Sequence, residues 1–118
     1  LVVLPGGIPG VPNLKANPKV QAMVKAQNDR GGYMAAICAG PTALGAFGVL
    51  ADKNATCYPG CEDQLMAKSH STEPVVVDGN VITSRGVGTA IEFALKLVEI
   101  LIDRQTADDL AEKIVYKR

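Results

Sequence analysis

The 118-residue chain reads as an α/β domain whose mostly parallel sheet is covered by helices on both faces. Three observations predict this. Short apolar runs alternate with amphipathic stretches, the order that builds parallel strands joined by crossover helices. Residues 33–37 are apolar at successive rather than alternate positions, as in a strand buried on both sides. Glycine-containing loops follow three strands, at Pro5-Gly6-Gly7, Cys38-Ala39-Gly40 and Arg85-Gly86-Val87-Gly88, where open parallel sheets bind ligands.

The first strand, residues 1–4, is predicted to be buried, and a Gly/Pro-rich loop follows it to about Leu14. Asn17-Pro18 starts a helix as N-cap and first-turn proline, with Val20, Met23, Val24 and Gln27 on one face and Gly31-Gly32 as the stop. Strand 33–37 comes next, then a short helix from Gly40-Pro41 to about Phe47. Residues 55–58 read as a third strand and 62–67 as a helical turn. Val75-Val76-Val77 and Val81-Ile82-Thr83-Ser84 flank Asp78-Gly79-Asn80, the signal of a tight hairpin. Residues 89–103 form the longest predicted helix. Ile91, Leu95, Val98 and Ile102 are its core stripe, and Glu92, Lys96, Glu99 and Asp103 its wet side. Thr106-Ala107-Asp108-Asp109 resembles a capping box that opens a final helix carrying Leu110, Ile114 and Val115.

Composition bounds the function. Lysine plus arginine number 12, as do aspartate plus glutamate, so no net field draws the chain to nucleic acid or to an anionic membrane. No apolar run approaches the ~20 residues of a membrane span, and residues 1–20 lack the pattern of a secretory signal. Three cysteines match no disulfide framework or zinc ribbon, which makes a reducing, cytoplasmic setting the expectation. A central parallel strand rarely opens a protein. Residues 1–118 are therefore expected to be the C-terminal part of a single domain, partnered by an N-terminal segment of the same gene product.

Cys38 stands where an apolar strand turns into a helix. A cysteine there points its sulfur toward unpaired backbone N–H groups at the positive end of the helix dipole, a setting that favours thiolate over thiol. The competing reading is a small buried hydrophobe. Ala39 and Gly40 favour the nucleophile, because small residues leave the sulfur uncovered. The arrangement resembles a nucleophile elbow, with Ala36 where that motif has glycine. Gly7 and Ala39 are candidates to offer backbone N–H groups to a developing oxyanion.

The other constellations are weaker. Gly86-Val87-Gly88 lacks the third glycine of a dinucleotide loop, since Ile91 occupies that place, so no cofactor is assigned there. His70 reads as a solvated loop residue before it reads as a base for Cys38. Cys57 and Cys61, even with His70, supply three ligands at an unfamiliar spacing, short of a structural zinc site. Lys15, Lys19, Lys25 and Arg30 read as a solvated helix face without the aromatic interleaving of a nucleic-acid binder.

Val2-Val3-Leu4-Pro5-Gly6-Gly7, Ala35-Ala36-Ile37-Cys38-Ala39-Gly40-Pro41-Thr42 and Ile82-Thr83-Ser84-Arg85-Gly86-Val87-Gly88-Thr89-Ala90-Ile91-Glu92-Phe93-Ala94 together resemble the ThiJ/PfpI superfamily. The closest likeness is to its DJ-1-like, protein deglycase branch, and it covers essentially the whole chain. It implies a flavodoxin-like three-layer sandwich of the class I glutamine amidotransferase-like kind, without its N-terminal strands in this sequence. It further implies a homodimer with no cofactor and with Cys38 as the reactive cysteine. Gly7 and Ala39 would donate backbone N–H groups, and Gly6, Tyr58, Gly86 and Val87 would line the pocket, the last two from the partner subunit. Tyr58 stands where relatives often have histidine, and Val87 where proline is common.

Two departures shape the expected chemistry. The peptidase-like branch has histidine directly after its cysteine; Ala39 stands here, which disfavours peptidase activity. The DJ-1 branch uses a glutamate from the N-terminal third of its domain, which this sequence does not contain. The resemblance thus implies a cofactor-independent enzyme acting on a small aldehyde, such as glyoxal or methylglyoxal, or on a glycated substrate. The alternatives are a redox sensor or chaperone whose cysteine oxidises to sulfinate and, from the family's historical naming alone, a role in thiazole biosynthesis.

Overall fold

The structure, a computed structural model, describes residues 1–118. In chain order its elements are β1 (Val2–Leu4), α1 (Gly10–Ala16), α2 (Pro18–Asp29), β2 (Met34–Ile37), α3 (Pro41–Ala46) and β3 (Asn54–Ala55). A 3-10 turn at Glu62–Gln64 leads to β4 (Ser69–His70), β5 (Val75–Asp78) and β6 (Val81–Ser84). A second 3-10 turn, Val87–Thr89, leads into α4 (Ala90–Leu101) and then α5 (Arg104–Lys113).

The main sheet has the order β1-β2-β6-β5. The first three strands are parallel, with Leu4 beside Ala36 and Met34 beside Val81, while β5 runs antiparallel to β6. Because strand side chains alternate between faces, this register sorts the core into two layers. Leu4, Met34, Ala36 and Val81 point to one face, where they pack with Val11, Val24, Ala43 and Leu44 of α1, α2 and α3. Ala35 and Ile82 point to the other, against Phe93 of α4, with Leu97 and Ile100 alongside. The chain is a three-layer α/β sandwich whose parallel strands end together at the site described below.

Several expectations are corrected. The strand at residues 1–4 is not a buried central strand here: β1 is an edge, Leu4 is its only buried residue and Val3 is 43% exposed. The loop expected to run to about Leu14 instead enters a helix, α1, at Gly10, and Pro12 falls within its first turn, where a missing N–H costs no intrahelical bond. The third strand is shorter than 55–58. β3 pairs only through Asn54 and Ala55, with Ser69 and His70 in a separate two-stranded ribbon, and the Thr56 amide instead donates to the Thr83 hydroxyl at 3.0 Å.

The α4 stripe is also corrected. Of Ile91, Leu95, Val98 and Ile102 only Leu95 is buried, whereas Ile91 and Ile102 are 47% and 65% exposed. Phe93, Leu97 and Ile100 face the sheet instead. Apolar residues surround this helix on nearly every side, so spacing alone allows two stripes; the sheet selects one. Lys96 and Glu99 are half-buried partners rather than a wet face, and Glu99 also meets Arg118. The last helix starts two residues before Thr106, with Asp103 as N-cap, its carboxylate accepting from the Thr106 amide at 2.7 Å. Its buried residues are Ala107 and Ala111, while Leu110, Ile114 and Val115 are exposed.

Candidate active site at Cys38

Cys38 adopts φ 66°, in the left-handed region that non-glycine residues seldom visit. The conformation is held from both sides. Its N–H donates to the Ser84 carbonyl at 3.1 Å, and its carbonyl accepts from the Tyr58 N–H at 2.8 Å. Strained backbone of this kind persists where the surroundings over-determine it, often at functional sites. The residue is partly exposed, with a free thiol.

Glycines let the neighbouring loops close on it. A Cβ added to Gly6 would lie 2.6 Å from Cys38 Cβ and 3.3 Å from its Sγ, so the loop after β1 lies directly against the cysteine. Gly40 is buried, and a Cβ there would meet the carbonyl oxygens of Leu4, Pro5 and Ile37 within 2.6–2.9 Å. Gly40 therefore serves close backbone packing beneath the elbow, not the uncovering of the sulfur expected from its small size. Gly7 needs glycine for another reason: its φ is +99°. Neither the Gly7 nor the Ala39 N–H donates to any acceptor in the chain, whereas the Gly40 N–H is taken by Ile37.

A cleft of about 520 Å³ opens on Cys38 and is walled by Tyr58, Pro59, Thr72, Pro74, Arg85 and residues 86–89. Gly86 and Val87, expected from the partner subunit, line the cleft of their own chain. Gly86 sits against the Tyr58 ring, and Val87 is 94% exposed at the rim. Gly6, Gly7 and Ala39 are not among the cleft's lining residues. Two other concavities near the C-terminus are lined mostly by charged side chains and contain no cysteine, so the chemistry-bearing cleft is the one at Cys38.

Sequence reasoning gave no role to Arg85, the one cationic side chain in the cleft wall. Its Nε donates to the Cys57 carbonyl at 3.2 Å, and its Nη2 lies 3.9 Å from Glu62 Oε1. Its position one residue beyond β6, at the carboxyl edge of the sheet, was the available signal. Thr72 and Pro74 come from the β4–β5 connection, where no motif marks them. Backbone hydrogen bonds from its own N–H and from Gly60 hold the Glu62 carboxyl below its ordinary range, helped by His70 and Arg85 and partly opposed by desolvation.

The other cysteines differ from Cys38. Cys57 is buried in the main core, and burial, reinforced by the Glu62 charge, pushes its thiol up from 9.0 to about 11. Cys61 is partly buried against the same core. His70 is exposed on β4 and does not line the Cys38 cleft. No group of three or more His, Cys, Asp or Glu side chains is arranged to hold a metal ion. No helix is long and apolar enough to cross a membrane.

The chain is similar to known proteins over nearly its whole length. Residues 1–100 match the model of the DJ-1/PfpI family. The chain is 46% identical over 120 residues to the Parkinson disease protein 7 homolog of Danio rerio, covering 99% of this chain and 64% of that protein. It is 38% identical over 116 residues to the glutathione-independent glyoxalase DJR-1.2 of Caenorhabditis elegans, covering 97% and 61% respectively. The crystal structure of Drosophila melanogaster DJ-1beta superposes with a TM-score of 0.94 at 40% identity, over 99% of this chain and 64% of that one. The chain thus spans less than two thirds of the length of these relatives. A family match over residues 1–100, together with a closely superposing fold at 40% identity, makes this chain a member of the DJ-1/PfpI family.

Proposed function

We propose that the chain carries the nucleophile and oxyanion site of a cofactor-independent, glyoxalase-type enzyme acting on small reactive aldehydes. One observation carries the reading: Cys38 is held at φ 66° beside a cleft, between two loops whose Gly7 and Ala39 N–H groups have no internal acceptor. Free main-chain donors next to a nucleophile are what a carbonyl addition requires as negative charge gathers on oxygen. A relative is named as a glutathione-independent glyoxalase, and this supports the substrate class.

With methylglyoxal, the Cys38 thiolate adds to the aldehyde carbon. A C–S bond forms and the carbonyl electron pair moves to oxygen, where Gly7 and Ala39 donate to it. Protonation gives a hemithioacetal. Removing the proton from that carbon and returning one to the neighbouring carbon converts it to a thioester of the 2-hydroxy acid, an internal redox step that needs no external oxidant. Water then cleaves the C–S bond, releasing lactate and restoring the thiol. The family resemblance assigns the proton shuttle to a glutamate of the N-terminal third of the domain, and we place that group outside residues 1–118. The same addition would begin removal of early glycation adducts from amines. Homodimeric assembly and a cytoplasmic setting belong to this proposal.

The decisive variant is Cys38→Ala in the intact protein. Conversion of methylglyoxal to lactate is expected to disappear, while Cys61→Ala keeps it; full turnover by Cys38→Ala overturns the reading.

A redox-sensing role is a second reading, favoured by the same two free N–H groups, which suit the oxygens of a cysteine sulfinate. A relative from Toxoplasma gondii, 36% identical with a TM-score of 0.90, has a structure described as oxidized. Mild peroxide should then add two oxygens to Cys38 before either other cysteine, as read by peptide mass spectrometry. Equal oxidation of Cys61 counts against it.

A further inference from the structure

We infer that Arg85 is a positioning residue which strengthens the Ala39 N–H as a hydrogen-bond donor, acting through two consecutive peptide groups. The inference rests on the proposal that Ala39 meets the oxyanion.

Three hydrogen-bond donors are linked in series. The Arg85 Nε–H donates to the Cys57 carbonyl at 3.2 Å. That carbonyl shares one peptide group with the Tyr58 N–H, which donates to the Cys38 carbonyl at 2.8 Å. The Cys38 carbonyl in turn shares the next peptide group with the Ala39 N–H, which has no acceptor in the chain. A carbonyl that accepts a hydrogen bond shifts its amide toward the form with positive nitrogen, so the attached N–H becomes a better donor. Hydrogen bonds linked this way reinforce one another, and a charged donor at the head supplies the larger pull.

Arg85 is fixed well enough to act so. Its own N–H and that of Gly86 both donate to Thr89 Oγ1, at 3.2 and 3.1 Å. Thr89 Oγ1 also lies 2.7 Å from the Ser84 hydroxyl. The guanidinium's only other partner is Glu62, at 3.9 Å, too long for a hydrogen bond. Its short contact is therefore the Cys57 carbonyl. Gly7, the second free donor, lies outside this series and serves as an internal control.

The test uses Arg85→Met and Arg85→Lys in the intact protein, with two readouts. Removing an oxyanion donor outright lowers kcat ~10²–10³-fold, so weakening one through the series should lower methylglyoxal kcat about three- to tenfold in Arg85→Met. KM should stay within about twofold, because the effect falls on the charge of the transition state. Arg85→Lys, which keeps the cation, should recover part of the loss. Independently of turnover, the amide-proton resonances of Tyr58 and Ala39 should move upfield in Arg85→Met, and less in Arg85→Lys, with Gly7 unmoved. Should Arg85→Met not fold, the Arg85→Lys spectrum decides. An unmoved Ala39 resonance, or equal movement of Ala39 and Gly7, overturns the inference. Loss of wild-type turnover with the amide pattern intact would refute the enzymatic proposal and leave the series standing.

Discussion

Gly6 and Cys38 are in direct contact: a single methyl group on Gly6 would stand 2.6 Å from Cys38 Cβ. The loop after β1 and the elbow after β2 thus share one space, and the thiol's position depends on a side chain being absent next door. Gly6→Ala should push Cys38 off its present geometry. The neighbour is a short side chain on strained backbone, with little freedom to retreat. Overpacking of this kind costs about 1–3 kcal/mol. We expect methylglyoxal turnover and Cys38 alkylation by iodoacetamide both to fall at least about tenfold. Wild-type rates in a folded Gly6→Ala protein would show that the two loops move independently.

Gly45 makes a harsher contact on the far side of the same layer. A Cβ there would sit 1.9 Å from the Leu65 carbonyl oxygen and 2.7 Å from its carbon. Both are backbone atoms, so relief requires moving α3 away from the 3-10 turn that follows Cys61. Gly45→Ala should destabilise by about 3 kcal/mol or more, although alanine is the better helix former. Denaturant unfolding measures this directly. A stability within about 0.5 kcal/mol of wild type would mean that the turn is loosely seated.

What the residues disclosed before the structure follows from how local each signal is. Asn17 caps α2 as expected, its side chain accepting from Lys19 at 2.9 Å and from Val20 at 3.4 Å, because capping is decided within four residues. The β5–β6 hairpin is equally local, with Asp78 opposite Val81. The α4 stripe is not decided locally, because Ile91 and Phe93 are both strongly apolar and only Ala35 and Ile82 across the interface choose between them. At the site, Cys38 and the Gly6-Gly7 loop stood out through glycine chemistry near strand ends. Arg85 did not. Its partner, the Cys57 carbonyl, lies 28 residues away in sequence and carries no side-chain signature.

Asp103 supplies a test of the corrected start of α5. The Thr106 hydroxyl and, with it, the Thr106 amide that its carboxylate accepts from hold its pKa below the ordinary aspartate range. Asp103→Ala should cost about 1 kcal/mol, as N-cap removal does. Thr106→Ala should cost less, since it keeps the amide hydrogen bond and removes only what the hydroxyl adds. Thermal unfolding of the two variants gives the ranking, and the reverse order would return the cap to Thr106.

Cys57 sets a pH dependence of its own. Burial raises its thiol from 9.0 in the unfolded reference to about 11 in the fold. Between those values the folded protein keeps a proton that the unfolded chain has released, so the contribution to stability is complete below about 9 and is lost as pH rises through about 11. A two-unit displacement corresponds to on the order of 2–3 kcal/mol at most. Wild type should therefore lose stability between pH 9 and 11 more steeply than Cys57→Ala, whose cavity lowers stability equally at every pH. Urea titrations of both proteins across that interval measure the difference. Parallel curves would mean that Cys57 ionises as freely in the fold as outside it, and the core around Ala55 and Leu65 would then have to admit water.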